Sequence, residues 1–224
     1  MEYLKREIAG IILFFLADKA LYWPERKILF IADAHFGKAA AYRALGQPVP
    51  HGTTEANIKR LDSLLEKYSC EQLVFLGDFL HAPKSHAPAT LATIAQWRQR
   101  HSNLVCTLIR GNHDLRAGDP PAYLDIAVVN EPFLLPPFAF RHIPVPVPDH
   151  HVVAGHLHPV YKLHGKGKQK LRLPCFHVRE NITIMPSFGE FTGGHPVEVD
   201  YDSRIFVTEG SGIWEVEILN NKND

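Results

Sequence analysis

Residues 103–114, N-L-V-C-T-L-I-R-G-N-H-D, decide how the rest of the chain is read. Asn103–Ile109 is a short apolar run of strand length that stops at Arg110 and Gly111. Just beyond the stop, Asn112, His113 and Asp114 place an amide, an imidazole and a carboxylate side by side. The same pattern recurs outward in both directions. Lys27–Ala32 is followed by Asp33, His35 and Gly37, and Gln72–Leu76 by Gly77, Asp78 and His81. Phe138–Phe140 is followed by His142, and Val152–Ala154 by Gly155, His156 and His158. Five strand-like runs thus end in groups that ligate metals or move protons. In open α/β sheets that edge is where sites form.

The intervening segments fit such a sheet. Residues 54–68 carry Ile58, Leu61, Leu64, Leu65 and Tyr68 at helical spacing, with Thr53 or Thr54 available as N-cap. Pro88–Arg100 is a second helix with Leu91, Ile94, Ala95 and Trp97 on its apolar side. Near the start, Ile8–Leu16 is expected as one buried strand paired with Lys27–Ala32 through Tyr22-Trp23-Pro24-Glu25-Arg26. Six prolines between 132 and 148 exclude helix there. Residues 138–143, 152–154, 171–173, 182–185, 204–207 and 214–219 are short strand candidates, and Gly165-Lys166-Gly167-Lys168 is a hairpin tip or loop. No linker, repeat or low-complexity segment divides the chain. The expectation is a single domain over 1–224, α/β, with two sheets packed together and helices outside.

Composition bounds the function. The 224 residues hold 24 Lys+Arg, 24 Asp+Glu and 14 His. A wholly basic protein is excluded, yet residues 150–179 carry six bases and no acid, while residues 180–224 carry two bases and nine acids. A local stretch that attracts anions therefore remains. Cys70, Cys106 and Cys175 are scattered and odd in number, which opposes a disulfide framework or a thiolate zinc site and suits a reducing compartment. The longest apolar run, around residues 9–17, is too short to span a bilayer. A cytoplasmic protein with no membrane segment is expected.

Asp33, His35, Asp78, Asn112, His142, His156 and His158 offer oxygen and nitrogen donors without sulfur. That set suits Mn, Fe, Zn or Co over Mg or Ca. In an extended chain, alternate residues of D-x-H and H-x-H point the same way. Seven donors exceed one tetrahedral zinc. Two metals roughly 3.5–4 Å apart, sharing a carboxylate, would use them.

The series Asp33-x-His35, Gly77-Asp78, Gly111-Asn112-His113-Asp114, His142 and Gly155-His156-x-His158 resembles the calcineurin-like metallophosphoesterase superfamily. Longer stretches, A-D-A-H-F-G-K-A-A-A-Y-R (32–43), P-V-P-H-G-T-T (48–54), V-F-L-G-D-F-L-H (74–81), A-G-H-L-H-P (154–159), L-P-C-F (173–176) and F-G-E-F-T-G-G (188–194), are similar to its ligase-associated DNA damage response phosphoesterases. The resemblance implies a four-layer α/β/β/α sandwich of two mixed sheets flanked by helices. It implies that Asp33, His35 and His158 hold one metal, that Asp78 bridges, and that Asn112, His142 and His156 hold the second, with manganese favoured. It further implies a water between the metals as nucleophile, His113 as general acid and Asp114 orienting it. The implied role is a DNA endonuclease in bacterial DNA repair, acting on single-stranded or nicked DNA and functionally associated with a DNA ligase and a helicase. A small-molecule nucleotide or phosphomonoester phosphoesterase is the alternative. A non-catalytic partner-binding module ranks lower, because the ligands and His113 are all kept.

Other residues were weighed singly. His81 stands where many superfamily members have Asp, and is a neighbour of a ligand or a substrate contact. Arg110 is a phosphate contact or an ion-pair partner. Lys38, Lys166 and Lys168 are substrate-binding candidates on charge alone. His150 and His151, in a Pro-Asp-His-His turn, compete with His142 but suit a solvated reading. Glu190 suits a structural turn and His177 a packed or solvent-facing strand. Trp23, Trp97, Trp214 and Cys106 suit the core.

Overall fold

The computed structural model describes residues 1–50, 52–164 and 170–218. The first sheet runs β1 (Tyr3–Ile8), β2 (Ile11–Leu16), β3 (Ala20–Trp23), β4 (Ile28–Ala32), β5 (Gln72–Leu76), β6 (Val105–Ile109) and β7 (Ala127–Val129), in that spatial order. β1 to β4 pair antiparallel and β4 to β7 pair parallel. The change follows from the connections. Short turns reverse the chain, whereas α2 (Thr53–Lys67) and α3 (Pro88–Arg100) carry it back across the sheet. Two short helices, α1 (Lys38–Arg43) and α4 (Asn112–Ala117), follow β4 and β6.

The second sheet contains β8 (Phe133–Leu135), β9 (Phe138–Arg141), β10 (His151–Ala154), β11 (Pro159–His164), β12 (Lys170–Arg179), β13 (Ile182–Ile184), β14 (His195–Pro196), β15 (Arg204–Thr208) and β16 (Ile213–Glu215). Its main path is β14-β11-β12-β13-β10-β9-β8, and β15 pairs with β12 and β16. β10 is parallel to both β9 and β13, so this sheet is also mixed.

Alternation along β4 shows how the sheets stack. Leu29 and Ile31 join a core with Ile58, Leu61 and Leu64 of α2 and Ile94 and Trp97 of α3. Ile28 and Phe30 face the other way, toward Phe138, Phe140, Val153, Phe176 and Phe206 of the second sheet. Phe30 and Phe140 stack at 4.2 Å between ring centroids. A strand buried on both faces reads as a continuous apolar run, which is why β4 to β6 are the most legible strands of the sequence. The sandwich of two mixed sheets is therefore as expected. Its helical cover is uneven: all four α-helices of the described residues fall within 38–117. The outer face of the second sheet is packed instead by loop residues such as Val147 and Val197.

Several local expectations are corrected. Ile8–Leu16 is two strands of a hairpin, with Ile8 opposite Ile11. Ala9 (φ 48) and Gly10 (φ 79) both take positive φ, the geometry a two-residue hairpin loop needs. Tyr22 and Trp23 belong to β3 rather than to a connector. α2 is preceded by Gly52 without a side-chain cap, because Thr54 Oγ1 accepts the Gly37 N–H at 3.1 Å. Trp23 and Trp97 are core, but Trp214 is 46% exposed. Cys106 is buried in the core and burial pushes its thiol up to about 11.

Candidate metal centre

The candidate ligands cluster beyond the ends of β4, β5, β6, β9 and β10, but not on extended backbone. Asp33 (φ 53), His35 (φ 46), Asp78 (φ 50), His156 (φ 71) and His158 (φ 45) are all left-handed, so the expected side-by-side projection from an extended D-x-H or H-x-H is corrected. Each such residue costs about 1–3 kcal/mol and persists only where the surroundings over-determine it. Here neighbouring loops do so. His35 and Phe36 donate their N–H groups to the carbonyls of Asp78 and Phe79, both at 2.8 Å. Phe188 and Gly189 donate to the carbonyls of Ala32 and Asp33. Two glycines let these loops close. A Cβ at Gly77 (φ 77) would run into the His142 ring, and one at Gly155 would lie 2.6 Å from Asp33 Oδ2.

The side chains then converge on two adjoining groups. Asp33, His35 and His158 form one, with His158 Nε2 3.4 Å from Asp33 Oδ1. Asp78, Asn112, His142 and His156 form the other. His142 Nδ1 donates to the Leu76 carbonyl at 3.1 Å, which leaves the Nε2 lone pair pointing inward. That nitrogen faces Asn112 Oδ1 at 2.9 Å, His156 Nδ1 at 3.0 Å and Asp78 Oδ1 at 3.5 Å. Asp78 spans both groups, since its Oδ2 lies 3.8 Å from His35 Nε2.

Asp33 is wholly buried, and its Oδ1 has no hydrogen-bond partner. A buried carboxylate oxygen left without a donor is costly. Lone pairs of Asp33, Asp78, Asn112 and His142 face one another, an arrangement that a cation would offset. Burial, with Lys38 next in weight, drives the His35 pKa far down; burial also lowers His156. Both shifts favour the neutral ring, the form that offers a lone pair for ligation. Burial raises the Asp78 pKa, against the pull of His142. The donor set fits divalent cations held by oxygen and imidazole nitrogen.

His113 lies beside this centre. Its backbone N–H donates to Asp78 Oδ1 at 2.9 Å, and its ring Nδ1 donates to the His81 carbonyl at 2.6 Å. Nε2 is thereby the free position, 3.9 Å from Asp78 Oδ2. Asp114 does not touch the His113 ring, contrary to expectation. Its carboxylate accepts the N–H groups of Gly111 (2.8 Å), Phe79 (3.0 Å) and Leu80 (3.3 Å), clamping the β5 and β6 loops together. Burial raises that carboxyl to about 6.

His81 stacks on His113 at 4.7 Å and 23°, with its Nδ1 3.4 Å from His35 Nδ1. Burial, Lys38 and His113 lower its pKa to about 4. Lys38 is half-buried near Asp33 and Asp78, which oppose the downward pull of burial on its pKa. Arg110 is not directed to this centre: it forms a bidentate pair with Asp119 at 2.6 and 2.7 Å and donates to Asn130. Lys166 and Lys168 lie outside the described residues.

Glu131 was missed by the sequence reading. Its carboxylate accepts the backbone N–H groups of His142 (2.8 Å) and Ile143 (3.1 Å), fixing where the ligand-bearing strand ends. No motif surrounds it, so only its packing reveals it. Glu190 is structural, as expected, and pairs with Arg60 at 2.6 Å. His177 packs against Ser203 Oγ at 2.9 Å. His151, expected in a solvated turn, is instead buried in β10, bonded to Thr183 Oγ1 at 2.8 Å. A cavity of about 730 Å³ beside Pro146–His151 is lined by none of the ligand set.

Residues 26–192 match the family model of calcineurin-like phosphoesterases. The crystal structure of a Pseudomonas putida nuclease, MPE, superposes with a TM-score of 0.86 at 50% sequence identity, covering 96% of this chain and all of that one. More distant similarity extends to the Aquifex aeolicus protein AQ665 (17% identity, TM-score 0.42, 63% of this chain and 82% of that one). It extends also to Yfce, a phosphoesterase from E. coli (17% identity, TM-score 0.41, 84% and 97%). Among curated proteins there is no match. Among the described residues, no helix is long and apolar enough to cross a membrane.

Proposed function

The chain belongs to the calcineurin-like phosphoesterase family, and on that premise we propose that it is a dimetal phosphodiesterase that cleaves DNA internally. One observation carries the substrate class: the 50% identity with a nuclease over 96% of the chain. Asp33, His35 and His158 would hold one cation, Asn112, His142 and His156 would hold the other, and Asp78 stands within reach of both groups. Two such cations supply Lewis acidity toward the phosphoryl oxygens and a nucleophile at neutral pH. Manganese is the favoured metal on the family resemblance and the donor types, with iron, zinc or cobalt as competitors.

The chain's own residues do the rest. His113 spends Nδ1–H on the His81 carbonyl, so its protonated form presents Nε2–H alone to the leaving oxygen. Asp78 Oδ2 lies 3.9 Å from that nitrogen. Lys38 draws the phosphodiester into the same field. Asp114 and Glu131 hold the loops and act through position, not through contact with substrate. On the family resemblance, the enzyme works in cytoplasmic DNA repair on single-stranded or nicked DNA, alongside a DNA ligase and a helicase.

The test is purified protein with Mn²⁺ on a chromogenic phosphodiester and on circular single-stranded DNA. Turnover of the first and linearisation of the second are expected. Cutting of linear DNA only would replace internal cleavage with end-dependent cleavage. Activity confined to nucleotides or phosphomonoesters would move the protein to the small-molecule reading. An inert protein with two metals bound would end the catalytic one.

A further inference from the structure

A cavity of about 180 Å³ opens beside the metal centre, and the reaction outlined above makes no use of it. Its walls include the candidate ligand His158, together with Lys19, Glu190, Phe191 and Thr192. Lys19 sits in the turn after β2 at φ 63, with its side chain only 13% exposed. An ammonium held that far from water needs a close counter-ion. Its recorded partner, Glu190, is 3.6 Å away and is bound more tightly by Arg60 at 2.6 Å. Arg60 also donates to the Phe188 carbonyl and lies over the Phe188 ring at 4.2 Å, so it is committed to the turn. Asp18, adjacent in the chain, lies in the field of Arg60 and Lys67 as well as of Lys19. Among the described residues, Lys19 is thus the one lysine or arginine lining this cavity, and the carboxylate that faces it is shared with Arg60. Beside it, Phe191 is 52% exposed and held at φ 58. Its exposed ring offers an apolar face beside the cavity.

We propose that this cavity is the subsite for the nucleotide next to the scissile phosphate, with Lys19 contacting its phosphate and Phe191 packing against its base. The proposal rests on the nucleic-acid reading above and adds to it the path of the strand, past His158 toward the 189–193 turn. The chemistry is matched at each end. An ammonium whose carboxylate partner is shared with Arg60 recognises a phosphodiester oxygen, and an aromatic face accepts a base of any sequence.

The experiment measures binding without turnover. Fluorescence anisotropy of a labelled oligothymidylate is recorded in EDTA across a salt series, for the wild type, Lys19→Gln and Phe191→Ala. Lys19→Gln is expected to weaken binding about tenfold and to reduce the slope of log K against log salt by about one. Phe191→Ala is expected to weaken binding by a similar factor with the slope retained, since a stacked base is worth roughly 1–3 kcal/mol and carries no counter-ion. In the Mn²⁺-loaded enzyme, both variants are expected to lose more on DNA than on a small chromogenic phosphodiester. Wild-type affinity in both variants overturns the subsite, whatever the enzyme cuts. Equal losses on DNA and on the small diester also overturn it, in favour of a purely structural role in supporting His158. If the wild type binds the oligonucleotide through Lys19 and Phe191 but does not cut it, the subsite stands and the nuclease reading falls. If it neither binds nor cuts, both fall.

Discussion

Two regions of this molecule bury histidine, and they do so in opposite ways. In the second sheet, His151 bonds to the Glu180 carbonyl and to Thr183 Oγ1, and His177 bonds to Ser203 Oγ. Each ring meets a hydroxyl that can donate or accept, so the pairing closes within the protein. At the strand ends where the two sheets meet, His142 Nε2 faces an amide oxygen, another imidazole nitrogen and a carboxylate oxygen, and Asp33 Oδ1 has no hydrogen-bond partner. Burial is comparable in the two places. What separates a structural histidine from a ligand is the sign of its surroundings: lone pairs matched by protons in one region, and lone pairs facing lone pairs in the other.

The largest test of this contrast is Asp78→Ala. Removing the carboxylate that spans both donor groups should abolish bound metal and lower turnover by about 10⁴-fold or more, read by metal analysis and phosphodiester hydrolysis. Retained stoichiometric metal would break the assignment. His113→Ala should keep the metal yet lower kcat by about 10²–10⁴-fold, because it removes a proton donor and no ligand. Stripping the metal should uncover the repulsion among the donors. Apo-protein should melt below holo-protein, with metal at a hundred times its Kd contributing about 2.7 kcal/mol. Gly77→Ala should cost about 1–3 kcal/mol from the positive φ alone, and lower metal affinity as well by displacing His142.

The smallest effects should come from the other region. Burial holds the His151 pKa below the ordinary imidazole value of 6.5. As pH falls through 6.5 the unfolded chain takes up a proton that the folded ring resists, so stability declines there. His151→Gln should flatten that decline in urea-unfolding measurements and cost about 1–3 kcal/mol at neutral pH, with metal content unaltered. Loss of metal from that variant would erase the distinction between the two regions.

Particular residues show how far the sequence could be read. Asp33, Asp78 and Asn112 were legible because each follows a strand signal directly, and strand ends are local events written in a few neighbouring residues. β4 to β6 were legible because burial on both faces makes the pattern uninterrupted. The hairpin at Ala9–Gly10 was not, since Ile8–Leu16 is apolar on both sides of a turn whose only mark is one glycine. Asp114 was identified as important but given the wrong contact. Its neighbour in the chain is His113, whereas its partners in space, Phe79 and Leu80, are some 35 residues away. Arg110 was left between two readings, and Asp119 settles it as an ion pair. Glu131 carried no signal, because a carboxylate that receives two backbone N–H groups looks like any other acid until the backbone is placed.

By itself the sequence determined the kinds of donor, their order along the chain and their position at strand ends, together with the family that this order resembles. Those properties depend on residue chemistry and on interactions over a few residues. Only the tertiary structure decided which lone pairs face one another, that five candidate ligands adopt positive φ, and that His113 is oriented by the His81 carbonyl. It alone also put Lys19, 139 residues away in the chain, beside His158 and Phe191. Direction and distance between groups far apart in sequence come from the packing of two sheets against each other, and no local pattern encodes them.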